Sequence, residues 1–129
     1  MIKTLTLLIG ALHLTTGAVM WVAPAFWYAR TPGVVMTGPF NMHFIRDVGL
    51  IFLVSGSALI VGRLRGDATA MICGAAWPAL HAAYHAWMWL ARGMPVDSVA
   101  AANLVGIQLP AWVALFFAIR FAQKETQEC

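Results

Sequence analysis

The chain has 129 residues, of which 61% are hydrophobic and 10% are charged, and its mean hydropathy is +0.78. A soluble domain carries about a quarter charged residues, so this composition excludes an ordinary soluble fold. The net charge of +3 is the difference between eight Lys and Arg residues and five Asp and Glu residues. The Lys and Arg residues stand singly at the ends of apolar segments. They form no basic stripe, which argues against nucleic-acid binding. The length fits a single domain, residues 1–129.

The first apolar segment, about residues 4–28, is predicted to cross the membrane as a helix. Lys3 precedes it in the manner of a signal peptide, but the apolar run is much longer than the roughly 7–15 residues of a signal-peptide core. His13 lies near the middle of the span and is a candidate haem ligand. The alternative is that His13 packs between helices and is hydrogen-bonded to a neighbouring Ser or Thr.

The second predicted span, about residues 41–62, begins with the motif HxxxD, formed by His43 and Asp47. Residues four apart on a helix face the same way, with side chains about 5–6 Å apart, so these two could reach one ion. Asp47 could equally pair with an arginine. Arg46 could extend outward to the interface, pair with Asp97, or bind an anionic headgroup or substrate.

The third predicted span, about residues 68–91, carries the motif HxxxH, formed by His81 and His85. The same four-residue spacing places both imidazoles on one face of the helix. Cys73 and Cys129 have neither metal-type nor redox-type spacing, so we assign them no disulfide. For Cys73, inside the span, we expect a buried free thiol.

The fourth predicted span, about residues 99–121, contributes two amides, Asn103 and Gln108. With a rise of about 1.5 Å per residue, Asn103 falls at the depth of His85. Gln108 approaches the depth of His81. Polar side chains are costly inside a membrane and are functional candidates there. The matching depths therefore predict one polar site.

These polar residues predict a transition-metal site in the outer half of the protein. Imidazole and carboxylate ligands suit copper, zinc or iron. The predicted ligands are His43, Asp47, His81 and His85. The predicted ligand-orienting or substrate-binding residues are Asn103, Gln108, Arg46 and Tyr84. The alternative cofactor is haem b, held by one histidine from each of two helices, either His13 and His81 or His43 and His85.

Glycines mark the faces through which the helices are expected to pack. Gly10 and Gly17 lie on one stripe of the first span, and Gly49 and Gly56 lie on one stripe of the second. Small residues allow membrane helices to approach closely. We therefore assign these glycines a structural role and no chemistry.

The distribution of Lys and Arg predicts how the spans are oriented. The side with the N-terminus, the second loop and the C-terminus holds Lys3, Arg63, Arg65, Arg120 and Lys124. The other side holds Arg30, Arg46 and Arg92. Because cytoplasmic loops carry the excess of these residues, we expect both termini in the cytoplasm. The predicted fold is all-α, an integral-membrane bundle of four transmembrane helices.

The segment PGVVMTGPFNMHFIRDVGLIFLVSG, residues 32–56, resembles a pattern in small bacterial four-span proteins of the broad DoxX-like group. The size, the four spans and the sequence Arg-Asp-Val-Gly in the second span carry this resemblance. It implies a multi-pass protein of the bacterial inner membrane. It implies no catalytic residue, and the HxxxH motif of the third span is not a hallmark of that group.

The leading functional hypothesis is a protein that binds the metal or haem and transfers electrons or oxidises a lipophilic substrate such as a quinone. No nucleophile constellation or phosphate loop points to hydrolysis or phosphoryl transfer. The alternative is a non-catalytic carrier or accessory subunit for a small molecule, lipid or proton, in which the same residues form a hydrogen-bond network. Whether the chain is an enzyme stays open between these two. The expected partners are the lipid bilayer and either a homo-oligomer or a larger membrane complex.

Overall fold

A computed structural model describes residues 2–128 of the chain, apart from the side chains of Thr126 and Glu128. This part is almost entirely helical and contains no strand, as predicted. The segments are α1 (Ile2–Val22), α2 (Pro24–Arg30), a 3-10 turn (Val34–Thr37), α3 (Met42–Arg65), α4 (Ala68–Ala91), α5 (Ser98–Asn103), a π-helical turn (Leu104–Gln108) and α6 (Leu109–Glu128). The last three follow one another without a break and are called the last helix below.

Three helices are long and apolar enough to cross a membrane: α1, α3 and the last helix from Ser98 to Glu125. Helix α4 has 24 residues, about 36 Å of helix, and has the bounds predicted for the third span. It is less apolar than the other three because it carries two histidines, a proline and several Trp and Tyr side chains. By length and composition, the chain is thus a membrane protein with at least three candidate spans.

The first predicted span is divided into two helices at Ala23. A residue before proline is disfavoured in the α region because its backbone meets the proline ring. Ala23 precedes Pro24 and has φ −131° and ψ 58°, so α1 ends at Val22 and a separate short helix begins. The Tyr28 hydroxyl then donates to the carbonyl oxygen of Gly38 at 2.7 Å and holds α2 against the following loop.

Helices α1 and α3 pack closely and antiparallel through the predicted glycine stripes. A Cβ placed on Gly17 would lie 2.6 Å from the carbonyl oxygen of Gly49, and one placed on Gly56 would lie 2.6 Å from that of Gly10. Any side chain at Gly17 or Gly56 would therefore push the two backbones apart. The predicted packing role of these glycines is confirmed.

Helix α4 packs between α3 and the last helix. On the α3 side, a Cβ placed on Gly74 would lie 2.9 Å from the backbone nitrogen of Leu59. A cluster of buried residues joins the three helices: Leu59, Met71, Ala75, Ala114 and Ala118. Since α1 also contacts α6, the four long helices form one bundle in which chain neighbours run antiparallel.

Large apolar side chains cover the outside of this bundle. Val54 is 68% exposed and Leu80 is 72% exposed, and many other apolar side chains face outward with them. An apolar surface of this extent is expected where a protein faces lipid. Cys73 belongs to this surface and is exposed, so the prediction of a buried thiol is wrong: the buried face of α4 runs through Ala75 instead. Cys129 lies outside the described residues.

Candidate functional site

His13 of α1 is buried and hydrogen-bonded to α3. The residue is 3% exposed, and its Nδ1 lies 3.1 Å from the Ser55 hydroxyl oxygen. The Ser55 hydroxyl donates its one hydrogen to the carbonyl oxygen of Gly74 in α4. His13 Nδ1 must therefore carry the hydrogen that Ser55 accepts. This arrangement matches the packing alternative predicted for His13.

Pro78 creates the acceptor at the end of this hydrogen-bond chain. In a regular α-helix the carbonyl of Gly74 would accept from the N–H of residue 78, but proline has no N–H. Ser55, from the neighbouring helix, supplies the missing donor. A proline in α4 thus orients Ser55 and, through Ser55, orients His13.

His81 and His85 lie side by side on α4, as their spacing predicts. Their ring centroids are 4.4 Å apart. Trp77 stacks on His81 at 4.7 Å, and Phe52 of α3 meets the same ring edge-on at 6.3 Å. Tyr84 meets His85 edge-on at 6.2 Å. Within residues 2–128 no hydrogen bond occupies either imidazole, so the pair has free ring nitrogens in aromatic surroundings.

A small cavity lies where the four long helices meet. Its volume is about 10 Å³, about the minimum that a water molecule needs. It is lined by His13, Phe52, Pro78, His81, Gly106, Ile107 and Ala111. Pockets for small molecules measure about 300–1,000 Å³. The space between His13 and His81 therefore has room for one atom or one water.

The last helix contributes a π-helical turn, Leu104–Gln108, to the wall of this cavity. In a regular α-helix the ring of Pro110 would clash with the carbonyl of Gly106, four residues earlier, and the wider turn relieves that clash. A Cβ placed on Gly106 would meet no atom within 4 Å. Single π turns inside α-helices are frequent at functional sites.

Gln108 hydrogen-bonds the last helix to α4, and Asn103 hydrogen-bonds to Gln108. Gln108 Nε2 donates to the carbonyl oxygen of Ala82 at 2.8 Å and to Asn103 Oδ1 at 3.2 Å. Gln108 Oε1 accepts from Trp112 Nε1 at 2.9 Å. The hydrogen bond to Ala82 places Gln108 close to the depth of His81, as predicted. Its polar atoms, however, bind backbone, Asn103 and Trp112 rather than a histidine of the described chain.

His43 and Asp47 form an exposed pair in the first two turns of α3. His43 Nε2 lies 3.2 Å from Asp47 Oδ2, and the side chains are 90% and 55% exposed. Asp47 therefore pairs with the histidine one turn before it and not with an arginine. The pair occupies the outer surface of the bundle instead of facing its interior.

Arg46 caps the end of α1. Its Nε donates to the carbonyl oxygen of Trp21 at 3.1 Å, and its guanidinium lies 5.6 Å from the centroid of the Trp21 ring. The alternative in which Arg46 pairs with Asp97 is wrong, because Asp97 pairs with Arg92 at 3.0 Å. The backbone N–H of Ala100, helped by Arg92, lowers the pKa of Asp97.

The structure does not join the two predicted pairs into one metal site. Among residues 2–128 no group of three or more His, Cys, Asp and Glu side chains is arranged to hold a metal ion. His43 lies with Asp47, and His81 lies with His85. In the part of the chain that the structure describes, the four predicted ligands therefore form two separate pairs.

Sequence reasoning missed Ser55, because a single serine in an apolar span is an ordinary packing residue. The signal that could have found it is Pro78, which frees a carbonyl in the neighbouring helix. Phe52 and Trp77 were missed for a similar reason, since aromatic residues are common throughout the chain.

Comparison with known protein families, with curated proteins and with solved structures finds no match to this chain. The fold and the surroundings of the His81–His85 pair are therefore the observations on which a function rests.

Proposed function

We propose that this chain is a bacterial inner-membrane protein that binds one transition-metal ion through His81 and His85. The pair itself carries the proposal, since its two rings lie 4.4 Å apart and no described residue hydrogen-bonds to them. Imidazole suits zinc, copper and iron, and paired histidines four apart on a helix bind zinc in metalloproteases. Two imidazoles four residues apart on one face of a helix are close enough to bind one ion together.

Four membrane spans are part of the same proposal. Helix α4 has the same 24-residue length as α3 and packs between α3 and the last helix, whose apolar surfaces face lipid. With four spans, both termini lie on one side of the membrane. The excess of Lys and Arg on that side assigns it to the cytoplasm, so His81 and His85 lie in the outer half of the bundle.

Two imidazoles leave coordination positions open to water or to a substrate. Open positions are typical of catalytic metal sites, whereas structural zinc sites are closed by four protein ligands. Tyr84 and Trp87 stack 5.8 Å apart on the outward side beside His85, and both are more than half exposed. They give a lipophilic molecule such as a quinone an aromatic approach from the bilayer, and copper or iron held by the pair would supply the redox chemistry on such a molecule.

The second candidate is a metal-free carrier or accessory subunit for a small molecule, lipid or proton. The hydrogen-bond chain from His13 through Ser55 to the Gly74 carbonyl favours it, because that chain is complete without any ligand. In this candidate His81 and His85 extend the hydrogen-bond network and hold no metal.

A metal titration of the purified protein in detergent micelles tests the first proposal. We expect one Zn²⁺ or Cu²⁺ per wild-type chain and none for the double variant His81→Ala/His85→Ala. The double variant His43→Ala/Asp47→Ala is the matched control, because it removes a pair with the same spacing and should leave the stoichiometry unchanged. Wild-type protein that binds no metal, or a His81→Ala/His85→Ala protein that binds it normally, overturns the proposal and favours the carrier.

A further inference from the structure

The tautomer of the buried His13 is determined by its neighbours. The single hydrogen of the Ser55 hydroxyl goes to the Gly74 carbonyl, which can only accept. Nδ1 of His13, 3.1 Å from Ser55 Oγ, is therefore the donor of its hydrogen bond. In the neutral ring, Nε2 then carries a free lone pair, and no residue within 2–128 donates to it.

The ring of His13 borders the cavity that His81 also lines. A buried water makes about three hydrogen bonds, and this cavity of about 10 Å³ has room for one water. Nε2 of His13 offers an acceptor, and the imidazole of His81 offers a second polar partner. Gly106, in the cavity wall, has a carbonyl whose usual α-helical donor is missing, because residue 110 is proline.

We propose that this cavity binds one water molecule that bridges His13 Nε2 and the imidazole of His81. The water donates one hydrogen to Nε2 and hydrogen-bonds to His81 with its other polar sites. Through this water His13 joins the cluster formed by His81 and His85, and it is the most buried of the three histidines. The inference rests on the proposed function for the role of His81 and deepens it by linking His13 to that site through a hydrogen-bonded water.

Nuclear magnetic resonance of ¹⁵N-histidine-labelled, metal-free protein in micelles tests this inference. We expect His13 to be protonated at Nδ1 and unprotonated at Nε2, and its ring protons to show magnetisation transfer from a bound water. A wild-type His13 protonated at Nε2 instead of Nδ1, or one without contact to water, overturns it. Because metal is left out, a failed metal titration does not affect this result.

Two variants test the tautomer of His13 and the bound water independently. Ser55→Ala removes the acceptor for Nδ1–H, so the preference for that tautomer should be lost. Ala111→Val adds two carbon atoms to the cavity wall, so the water contact should disappear while the tautomer persists. Retention of the water contact in folded Ala111→Val protein contradicts the assigned site. Should that variant not fold, the wild-type spectrum still decides.

Discussion

Two pairs of side chains with the same four-residue spacing lie in contrasting surroundings. Nε2 of His43 lies 3.2 Å from Oδ2 of Asp47, and both side chains are exposed. His81 and His85 are half-buried among aromatic rings, and nothing in the described chain hydrogen-bonds to them. Spacing along a helix brings two side chains together, but their surroundings determine whether ring nitrogens stay free for a ligand.

The exposed pair and the enclosed polar groups around His13 are also expected to differ in their contributions to stability. An exposed ion pair contributes about 0–1 kcal/mol to stability, because water competes for both partners. Polar groups that are enclosed cost about 1–3 kcal/mol each when they lose a partner. Substitutions in the enclosed cluster around His13 should therefore affect stability more than substitutions in the exposed pair.

The largest effect on stability is expected for Ser55→Ala. This change leaves both His13 Nδ1 and the Gly74 carbonyl without a partner, since Pro78 provides no N–H. A hydrogen bond between membrane helices contributes on average only about 0.6 kcal/mol, so for the two bonds lost we expect the free energy of unfolding to fall by about 1–2 kcal/mol. Equilibrium unfolding in mixed micelles measures it, with the exposed Ser57→Ala as the matched control. Equal effects of the two serine substitutions would remove the distinction between enclosed and exposed polar groups.

A smaller effect is expected for the coupling between Ser55 and Pro78. Pro78→Ala restores a backbone N–H that can bond the Gly74 carbonyl within α4, so that carbonyl no longer depends on Ser55. In this background Ser55→Ala should cost about 0.5–1 kcal/mol less than in the wild type. The four proteins of this double-mutant cycle give the coupling directly. Additive effects would show that Pro78 does not create the acceptor.

The smallest effect is expected for His43→Ala. The exposed pair with Asp47 should contribute less than about 0.5 kcal/mol, and raising the salt concentration should reduce even that. Unfolding in the same micelles at low and high salt provides the measurement. A loss as large as that for Ser55→Ala would mean that the exposed pair is part of a structured site, contrary to its 90% and 55% exposure.

Much of the helical architecture follows from the apolar segments and from the Gly, Pro and charged residues that separate them. The bounds of α4 agree with the predicted 68–91, and the glycines at 17 and 56 lie in the α1–α3 contact as predicted. The position of each polar residue along its helix was also predictable, because that position depends only on the rise per residue. Gln108 accordingly reaches α4 at Ala82.

The rotation of each helix about its axis was not predictable in the same way. A membrane helix is apolar on all sides, so no hydrophobic stripe indicates which face packs inward. His43 and Asp47 were therefore grouped with His81 and His85 in one site, although the structure places them on an exposed surface of α3. Cys73 was placed on the wrong face of α4 for the same reason.

The π turn at Leu104–Gln108 contains one residue more than a regular helical turn requires. The same geometry results when one residue is inserted into a regular helix and the helix accommodates it within a single turn. Because the wider turn takes up the extra residue, the segments on its two sides keep the rotation that they have in an uninterrupted helix. A change of length by one residue in the α5 segment can thus be accommodated at this turn, while the α6 segment that packs on α4 keeps its contacts.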